Sequence, residues 1–277
     1  MKRKRRKKIR WKNVIIALLF IFFVTTGIVS IINIYHWKID SNDVKSQLKD
    51  IDEINPVTEK KDNENTEIIE QDTEIPSSNP YWDYIKMNLI NVDFEELKII
   101  NPDTKGWIAV NGTNINYPFV QTDNNDYYLK HSFDKSYNSA GWVFMDYRNS
   151  LNPINKNTIL YAHGRYDTTM FGSLKNILTS GWLNNTNNYV IKLSTESENT
   201  LWQVFSVYHI PTTSDYLQVN FSSNDEFLSF TQMLIDRSFH NFNTTINAND
   251  KIITLSTCYN DKEKVVLHAK LIKKETR

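Results

Sequence analysis

Hydrophobic and polar positions along this chain form three successive patterns. Residues 14–32 are apolar without a charged residue, residues 38–80 are polar without an aromatic residue, and residues 81–277 alternate short apolar runs with turn-forming residues. The first pattern predicts a helix that can cross a bilayer, which takes about 20 apolar residues. The second cannot bury enough apolar area to offset its ordering entropy. The third is long enough for one domain with a full core.

Strand-like runs dominate residues 81–277. Runs of β-branched and aromatic residues between turns predict strands at 106–110, 115–120, 141–145, 158–162, 189–193, 202–209, 252–257 and 265–272. Asn111-Gly112 between the first two predicts a hairpin. Helical periodicity is confined to 44–54, 82–90, 93–100, 170–178 and 225–237. We therefore expect a mainly β, barrel-like fold with helical insertions.

Charge adds a topology to the N-terminal pattern. Residues 2–12 contain nine Lys or Arg and no acid, and such a block marks the cytoplasmic side of a membrane segment. A cleaved signal peptide is the alternative, but it would have a shorter apolar core and a better small-residue cleavage site. We expect a cytoplasmic tail at 1–13, a transmembrane anchor at 14–35, a flexible extracellular stalk at 36–80 and a catalytic domain at 81–277.

The formal net charge of zero hides an asymmetry. Nine of the 32 basic residues lie in the N-terminal block, which leaves 23 against 32 acidic residues, a net charge of −9, in the rest of the chain. An acidic exported domain lacks the basic surface that binds nucleic acids, so we expect no nucleic-acid partner. The seven glycines form no phosphate-cradling loop and no metal-ligand cluster is evident, so we expect no metal and no cofactor.

Cys258 is the only cysteine of the chain. It follows the strand-like run 252–257 and precedes a turn, so a sheet would hold its thiol within reach of a substrate. A lone cysteine forms no internal disulfide. In an exported domain, where disulfides are permitted, such a cysteine is less readily explained as a residue that only fills space. We therefore consider it a candidate nucleophile. The alternative is a buried thiol that behaves as a small hydrophobic side chain.

A nucleophilic cysteine needs a base or a cationic partner, because only the thiolate attacks. His163 follows the strand-like run 158–162, as Cys258 follows its own strand, and two strand ends of one barrel can bring such a pair together. A strand-end histidine in contact with solvent is the alternative. His131 is typical of a surface position, and His268 lies inside the last strand, where we expect it to pack.

Several segments resemble one enzyme family. The run T-L-S-T-C at 254–258 is similar to the nucleophile signature of sortases, the membrane-anchored cysteine transpeptidases of Gram-positive bacteria. Further segments resemble class B sortases, namely 114–118, 141–149, 161–164 with 169–174, and 266–271. The resemblance covers about 81–273. It implies a closed β-barrel of about eight strands with N-terminal helices and a helical insertion between the sixth and seventh strands of the family fold.

The resemblance also implies a reaction. Cys258 would attack the carbonyl of a threonine in the C-terminal sorting signal of a secreted protein, and His163 would serve as general acid and base. The thioester would then pass to an amino group of a peptidoglycan cross-bridge or of a pilin lysine. Class B members commonly read Asn-Pro-x-Thr-type signals and sometimes Pro-x-Thr-Gly variants. Expected substrate contacts are Ser256 and Thr257 beside the nucleophile and Thr212, Tyr216 and Leu217 in the segment 210–239.

One position departs from the family pattern. Class B sortases carry an arginine four residues before the histidine that corresponds to His268, and that position is Lys264 here. Lysine keeps the charge but lacks the planar fork of the guanidinium group. Strand alternation places Lys264 opposite the apolar Val265, so it can face the cleft in place of the oxyanion- or substrate-binding arginine. A solvated surface lysine is the alternative.

Two other function classes stay open at this point. A cysteine peptidase or hydrolase would use the same Cys–His pair and release a free acid with or without an amine. A catalytically weak, sortase-like binding protein would keep the fold without forming an acyl-enzyme. The resemblance disfavours the hydrolase, and the presence of both Cys258 and His163 disfavours the binding protein.

Overall fold

The chain is described by a computed structural model that covers residues 10–69, 75–260 and 262–277. It separates between Asp43 and Val44 into two compact units. Helix α1 (Trp11–Ile54) begins in the first unit and ends in the second. This helix contains the predicted apolar run, is long and apolar enough to cross a membrane, and leaves the side chains of that run exposed.

The second unit consists of strands joined by short helices. After α1 come β1 (Val57–Lys60), β2 (Thr66–Ile68), α2 (Tyr81–Tyr84), β3 (Leu89–Val92), α3 (Glu95–Ile100), β4 (Thr104–Val110), β5 (Asn116–Val120) and β6 (Phe144–Met145). They are followed by β7 (Asn157–Tyr161), α4 (Ser180–Leu183), β8 (Val190–Thr195), β9 (Glu198–Pro211), α5 (Asn224–Asp236), β10 (Ile252–Cys258) and β11 (Glu263–Thr276). Short 3-10 helices occur at Tyr127–Leu129, Gly172–Leu178 and Thr186–Asn188.

Eight strands from the described part of the chain close into a barrel. Their order is β10, β7, β6, β5, β4, β8, β9 and β11, and β11 then pairs with β10. The pairs β10–β7 and β5–β6 are parallel, whereas the other neighbours in the barrel are antiparallel. The expected mainly β, eight-stranded barrel is therefore confirmed, and α5 between β9 and β10 is its helical insertion.

Alternating strand residues fill two apolar clusters. In the larger one, Trp107 and Trp202 are at most 2% exposed. In the smaller one, Phe227 and Leu234 of α5 pack with Phe205 of β9 and hold the helix on the outside of the barrel. Full burial of such a side chain contributes roughly 1.5–3 kcal/mol. The segment between β9 and α5 is thereby anchored at both ends.

The predicted hairpin is present, since β4 and β5 pair antiparallel across the Asn111-Gly112 turn. Gly112 has a φ of +72°, in the left-handed region that glycine enters without a steric cost.

Two predicted helices differ from the structure. Over 82–90, α2 ends at Tyr84 and the chain then forms β3, because the run Leu-Ile-Asn-Val finds an antiparallel partner in β1. Over 170–178, the chain forms the 3-10 helix Gly172–Leu178.

The segment 36–80, expected to be a flexible stalk, is structured over much of its described length. The predicted short helix at 44–54 is the end of α1, where Val44 and Ile51 are buried.

Strand β1 pairs with β3, and β2 pairs with β11. Charges of opposite sign hold both strands, in the ion pairs Lys273–Asp62, Lys60–Glu275 and Lys274–Glu67. The polar composition suggested disorder because it does not reveal the matching charges on β11. The stalk prediction is thus corrected for residues 44–69.

Candidate active site

Cys258 and His163 lie at the same end of two neighbouring strands. Strands β10 and β7 are parallel, and Ser256 is the register partner of Tyr161. Cys258 is the last residue of β10, and His163 follows the end of β7 by two residues. Both residues therefore lie at the same edge of the barrel. The fold therefore brings the predicted nucleophile and the predicted acid–base residue to one place.

Both residues line a cavity of about 710 Å³. This size is within the range of ligand-binding clefts. The cavity also contains the other residues singled out from the sequence, which are Lys264, Ser256, Thr257, Thr212, Tyr216 and Leu217. All of the predicted site residues thus border the same space.

Lys264 contacts the thiol directly. It is the antiparallel register partner of Cys258, and its Nζ donates a hydrogen bond to Cys258 Sγ over 3.0 Å. Lys264 is half-buried in the cavity wall and is not a solvated surface side chain. The ammonium group of Lys264 is therefore in direct contact with the candidate nucleophile.

His163 is oriented by the backbone of a neighbouring loop. Its Nε2 lies 2.8 Å from the carbonyl oxygen of Leu129. A carbonyl only accepts, so Nε2 carries the proton and donates it in this bond. Between the described side chains of His163 and Cys258 there is no direct hydrogen bond. The ring is thus held by Leu129 within the cavity that it shares with the thiol, and Nδ1 is left as its second nitrogen.

The two strand ends are locked to each other. The Thr257 hydroxyl donates to the Ala162 carbonyl over 2.8 Å. Gly164 lies so close to Cys258 that a Cβ atom at this position would be 2.2 Å from the Cys258 carbonyl oxygen. Real Cβ atoms do not approach backbone oxygen this closely, so the geometry requires glycine. Cys258 and His163 therefore keep their relative position through the backbone.

Polar groups on the opposite wall are held by hydrogen bonds. The Tyr216 hydroxyl lies 3.0 Å from Ser256 Oγ, and burial raises the pKa of Tyr216, so the phenol stays protonated at neutral pH. The Thr212 amide donates to the Lys262 carbonyl over 2.8 Å. The segment after β9 is therefore connected both to β10 and to the turn that follows Cys258.

Asn125, Leu129, Phe144 and Tyr161 also line the cavity, and sequence reasoning did not identify them. Tyr161 carries a usable signal, because it is the last residue of β7 and precedes His163 by only two residues. Asn125 and Leu129 lie in a loop far from both catalytic candidates in sequence, and their position depends on the folded barrel.

Two other histidines have structural surroundings. His268 is fully buried between the Tyr208 hydroxyl at 2.8 Å and Thr254 Oγ1 at 2.9 Å. Burial, together with the nearby Arg237, lowers the pKa of His268 to about 3, which keeps the ring neutral. The ring of His131 stacks on Tyr127 with centroids 3.9 Å apart, outside the cavity. The predicted packing role of His268 is confirmed.

Comparison with known proteins identifies similar sequences and structures. The family model described as the Sortase domain matches residues 108–272. The protein "Sortase B" of Staphylococcus aureus is 35% identical over 188 residues, which cover 66% of this chain and 76% of that protein. The crystal structure of sortase B from B. anthracis in complex with AAEK1 is 40% identical, with a TM-score of 0.60 and coverage of 65% of this chain and 84% of that one. A Staphylococcus aureus sortase B–substrate complex is 35% identical, with a TM-score of 0.61 and coverage of 65% and 84%.

Proposed function

The chain belongs to the sortase family, in class B, and is a cysteine transpeptidase; we propose that it cleaves the C-terminal sorting signal of secreted proteins at a threonine and transfers the acyl group to an amine. The observation that carries this proposal is the placement of Cys258 and His163 at adjacent parallel strand ends in one cavity. A similar protein has been solved as a sortase B–substrate complex, which supports binding of a substrate in the corresponding cleft here.

In the proposed first half-reaction, Cys258 Sγ attacks the threonine carbonyl carbon. A C–S bond forms and the carbonyl π electrons move onto the oxygen. Before the attack, Lys264, whose Nζ lies 3.0 Å from Sγ, stabilises the thiolate. As the negative charge moves to the carbonyl oxygen, Lys264 donates a hydrogen bond to this oxyanion. Backbone N–H groups near Cys258 supply further donors. His163 takes up the thiol proton on Nδ1 when the thiolate forms. When the tetrahedral intermediate collapses, the C–N bond breaks, and His163 passes this proton to the departing amine.

In the second half-reaction, an acceptor amine attacks the thioester. His163 takes a proton from that amine, the C–S bond breaks, and Cys258 leaves as the thiolate beside Lys264. A new amide bond is formed and the enzyme is regenerated. The expected acceptor is an amino group of a peptidoglycan cross-bridge or a pilin lysine. Ser256, Thr257, Thr212, Tyr216 and Leu217 would contact the signal peptide, since all of them border the cavity.

We also propose that the enzyme is a single-pass membrane protein with a cytoplasmic N-terminus and an extracellular catalytic domain. Support comes from the apolar part of α1 and from the nine basic residues that precede it, which favour the cytoplasmic side. This placement suits a reaction on secreted proteins.

The proposal is tested with the detergent-solubilised full chain and synthetic peptides that carry Asn-Pro-x-Thr-type or Pro-x-Thr-Gly-type signals. Products are identified by mass spectrometry with and without an added amine. We expect an amide product only when the amine is present, and a covalent adduct on Cys258 that is lost in Cys258→Ala. Free acid in equal amount with and without the amine would indicate a hydrolase. No adduct with any signal would indicate a binding protein.

A further inference from the structure

Asp146, directly after β6, is a fully buried carboxylate surrounded by donors. Arg148 binds it in a bidentate pair, with Nε 2.8 Å from Oδ1 and Nη2 2.7 Å from Oδ2. Oδ2 also accepts the Tyr161 hydroxyl over 2.8 Å and Asn125 Nδ2 over 3.1 Å. Burial opposes ionisation of Asp146, but these hydrogen bonds, led by that of Arg148, outweigh it and lower its pKa. The carboxylate is therefore a charged centre with its acceptor positions occupied.

The groups that meet at this carboxylate come from separate walls of the cavity. Asn125 belongs to the loop that also contains Leu129, whose carbonyl accepts the hydrogen bond from His163. Tyr161 precedes His163 by two residues at the end of β7. Arg148 reaches the third wall, because its Nη2 also donates to the Leu217 carbonyl over 3.0 Å. One ion pair thus connects the catalytic strand end, the loop that holds the histidine and the segment after β9.

The contact with Leu217 is made to its backbone, so it fixes the position of the wall whatever side chain stands there. Hydrogen bonds to charged groups are stronger than neutral ones, and the bidentate pair fixes the guanidinium plane. Asp146 is not among the cavity-lining residues and Arg148 does not line it either. Neither residue is placed to touch the reacting atoms.

We propose that Asp146 and Arg148 are a positioning pair for this reaction, which holds the Leu217 wall at the correct distance from the strand end that carries His163. The proposal rests on the proposed function, since it assigns the pair to binding of the sorting-signal peptide. The pair sets the width of the cleft and therefore acts on peptide affinity, while the chemistry at Cys258 proceeds without it.

The test compares Arg148→Gln with Lys98→Gln. The control removes a remote ion pair, Lys98–Glu196 at 2.6 Å. In Arg148→Gln we expect KM for the signal peptide to rise about 10-fold or more, as for loss of a charged hydrogen bond, with kcat within threefold of wild type. Alkylation of Cys258 by iodoacetamide should be unchanged, because a small reagent does not need the wall. Arg148→Lys should raise KM less than Arg148→Gln but should not restore the wild-type value, because lysine lacks the planar fork of the guanidinium group.

Hydrogen exchange supplies a readout that does not depend on turnover. Amides of residues 212–217 should exchange faster in Arg148→Gln than in Lys98→Gln, and the melting temperature of both variants is recorded to exclude global unfolding. In a double-mutant cycle, Asp146→Asn with Arg148→Gln should cost no more than the worse single variant, because the two residues act as a unit.

Unchanged exchange in 212–217 would overturn the positioning role whether or not the enzyme turns over a peptide. An equal fall in kcat and in the alkylation rate, with KM unchanged, would also overturn it. Absence of transpeptidation by the wild type, together with faster exchange in Arg148→Gln, would instead contradict the proposed function and retain the pair as the support of the cleft wall.

Discussion

Lys264 and Cys258 are directly opposite each other in the antiparallel pair of β10 and β11, and Lys264 Nζ lies 3.0 Å from Cys258 Sγ. The short turn between the strands produces this pairing, with the Tyr259 amide donating to the Glu263 carbonyl. The charge next to the nucleophile is therefore built into the register of the sheet. A lysine in place of the family arginine still delivers a cation to the thiol.

Loss of Lys264 should impair acyl-enzyme formation. Under the proposed mechanism, we expect Lys264→Ala to lower kcat/KM about 10- to 1000-fold, because it would remove the cation beside the nucleophile and one donor to the oxyanion. Lys264→Arg should preserve or raise activity through the second bond that its fork can form. Stopped-flow measurement of thioester formation tests this, with the exposed Lys262→Ala as the control. Unchanged acylation in Lys264→Ala would assign the oxyanion to backbone amides beside Cys258 or to a basic residue from elsewhere in the chain.

His163 should be the acid–base residue. Loss of a general acid typically costs 10²- to 10⁴-fold in rate, and we expect His163→Ala to fall in this range in a peptide-transfer assay. His131→Ala, which alters a ring outside the cavity, should stay within a few-fold of wild type. The reverse order of the two variants would show that the assignment is wrong.

His268 should make the fold sensitive to acid. Its pKa is about 3 in the folded chain and about 6.5 when unfolded, so the unfolded state binds more protons between these values. Stability is therefore complete above pH 6.5 and falls as the pH drops through this window, by about 2 kcal/mol at pH 5 from this residue. Denaturant unfolding at pH 7 and pH 5 measures it. In His268→Gln the difference in the free energy of unfolding between pH 7 and pH 5 should be smaller by that amount. If this difference is the same as in the wild type, other groups cause the loss of stability in acid.

Gly164 should tolerate no side chain. In Gly164→Ala the new Cβ would be 2.2 Å from the Cys258 carbonyl, so the two strand ends must separate. Because displacement of a reacting group by about 1 Å can cost 10²-fold, we expect at least a 10-fold loss of kcat. Gly181→Ala is the matched control, since nothing lies within 4 Å of its Cβ. Equal activity of the two variants would refute the close packing of these strand ends.

The intact protein should sediment with membranes. The apolar run within α1 and the basic block before it predict a catalytic domain that added protease reaches on intact protoplasts. Immunoblotting of the fractions detects the domain. Recovery of a soluble mature form that starts near residue 30 would support a cleaved signal peptide.

Much of the architecture follows from local sequence patterns. The sequence predicted the strand-end positions of Cys258 and His163, because each residue follows an apolar, β-branched run. In the structure, the parallel pairing of β7 with β10 brings the two strand ends together. The sequence did not predict the role of the Asp146–Arg148 pair. Its partners Asn125, Tyr161 and Leu217 are distributed over the chain, and only the closed barrel places them around one carboxylate.

Helix and strand assignments failed where a distant partner decided the outcome. Leu89 to Val92 pairs with β1, so a run with helical periodicity becomes a strand. Asp62 and Glu67 look like residues of a disordered segment, and only β11, some 200 residues later, supplies the lysines that they bind.

The attachment of β1 and β2 determines where the chain can be shortened. A fragment that begins at residue 81, the boundary suggested by composition, would leave β3 without its partner β1 and would uncover the edge of β11 that pairs with β2. Lys273, with 0% of its side chain exposed, would lose Asp62. Unpaired strand edges recruit other chains, so such a fragment should aggregate. A fragment from Val44, where the second compact unit begins, keeps these partners. The solubility of the isolated domain thus depends on a segment, 44–69, whose polar composition makes it appear dispensable.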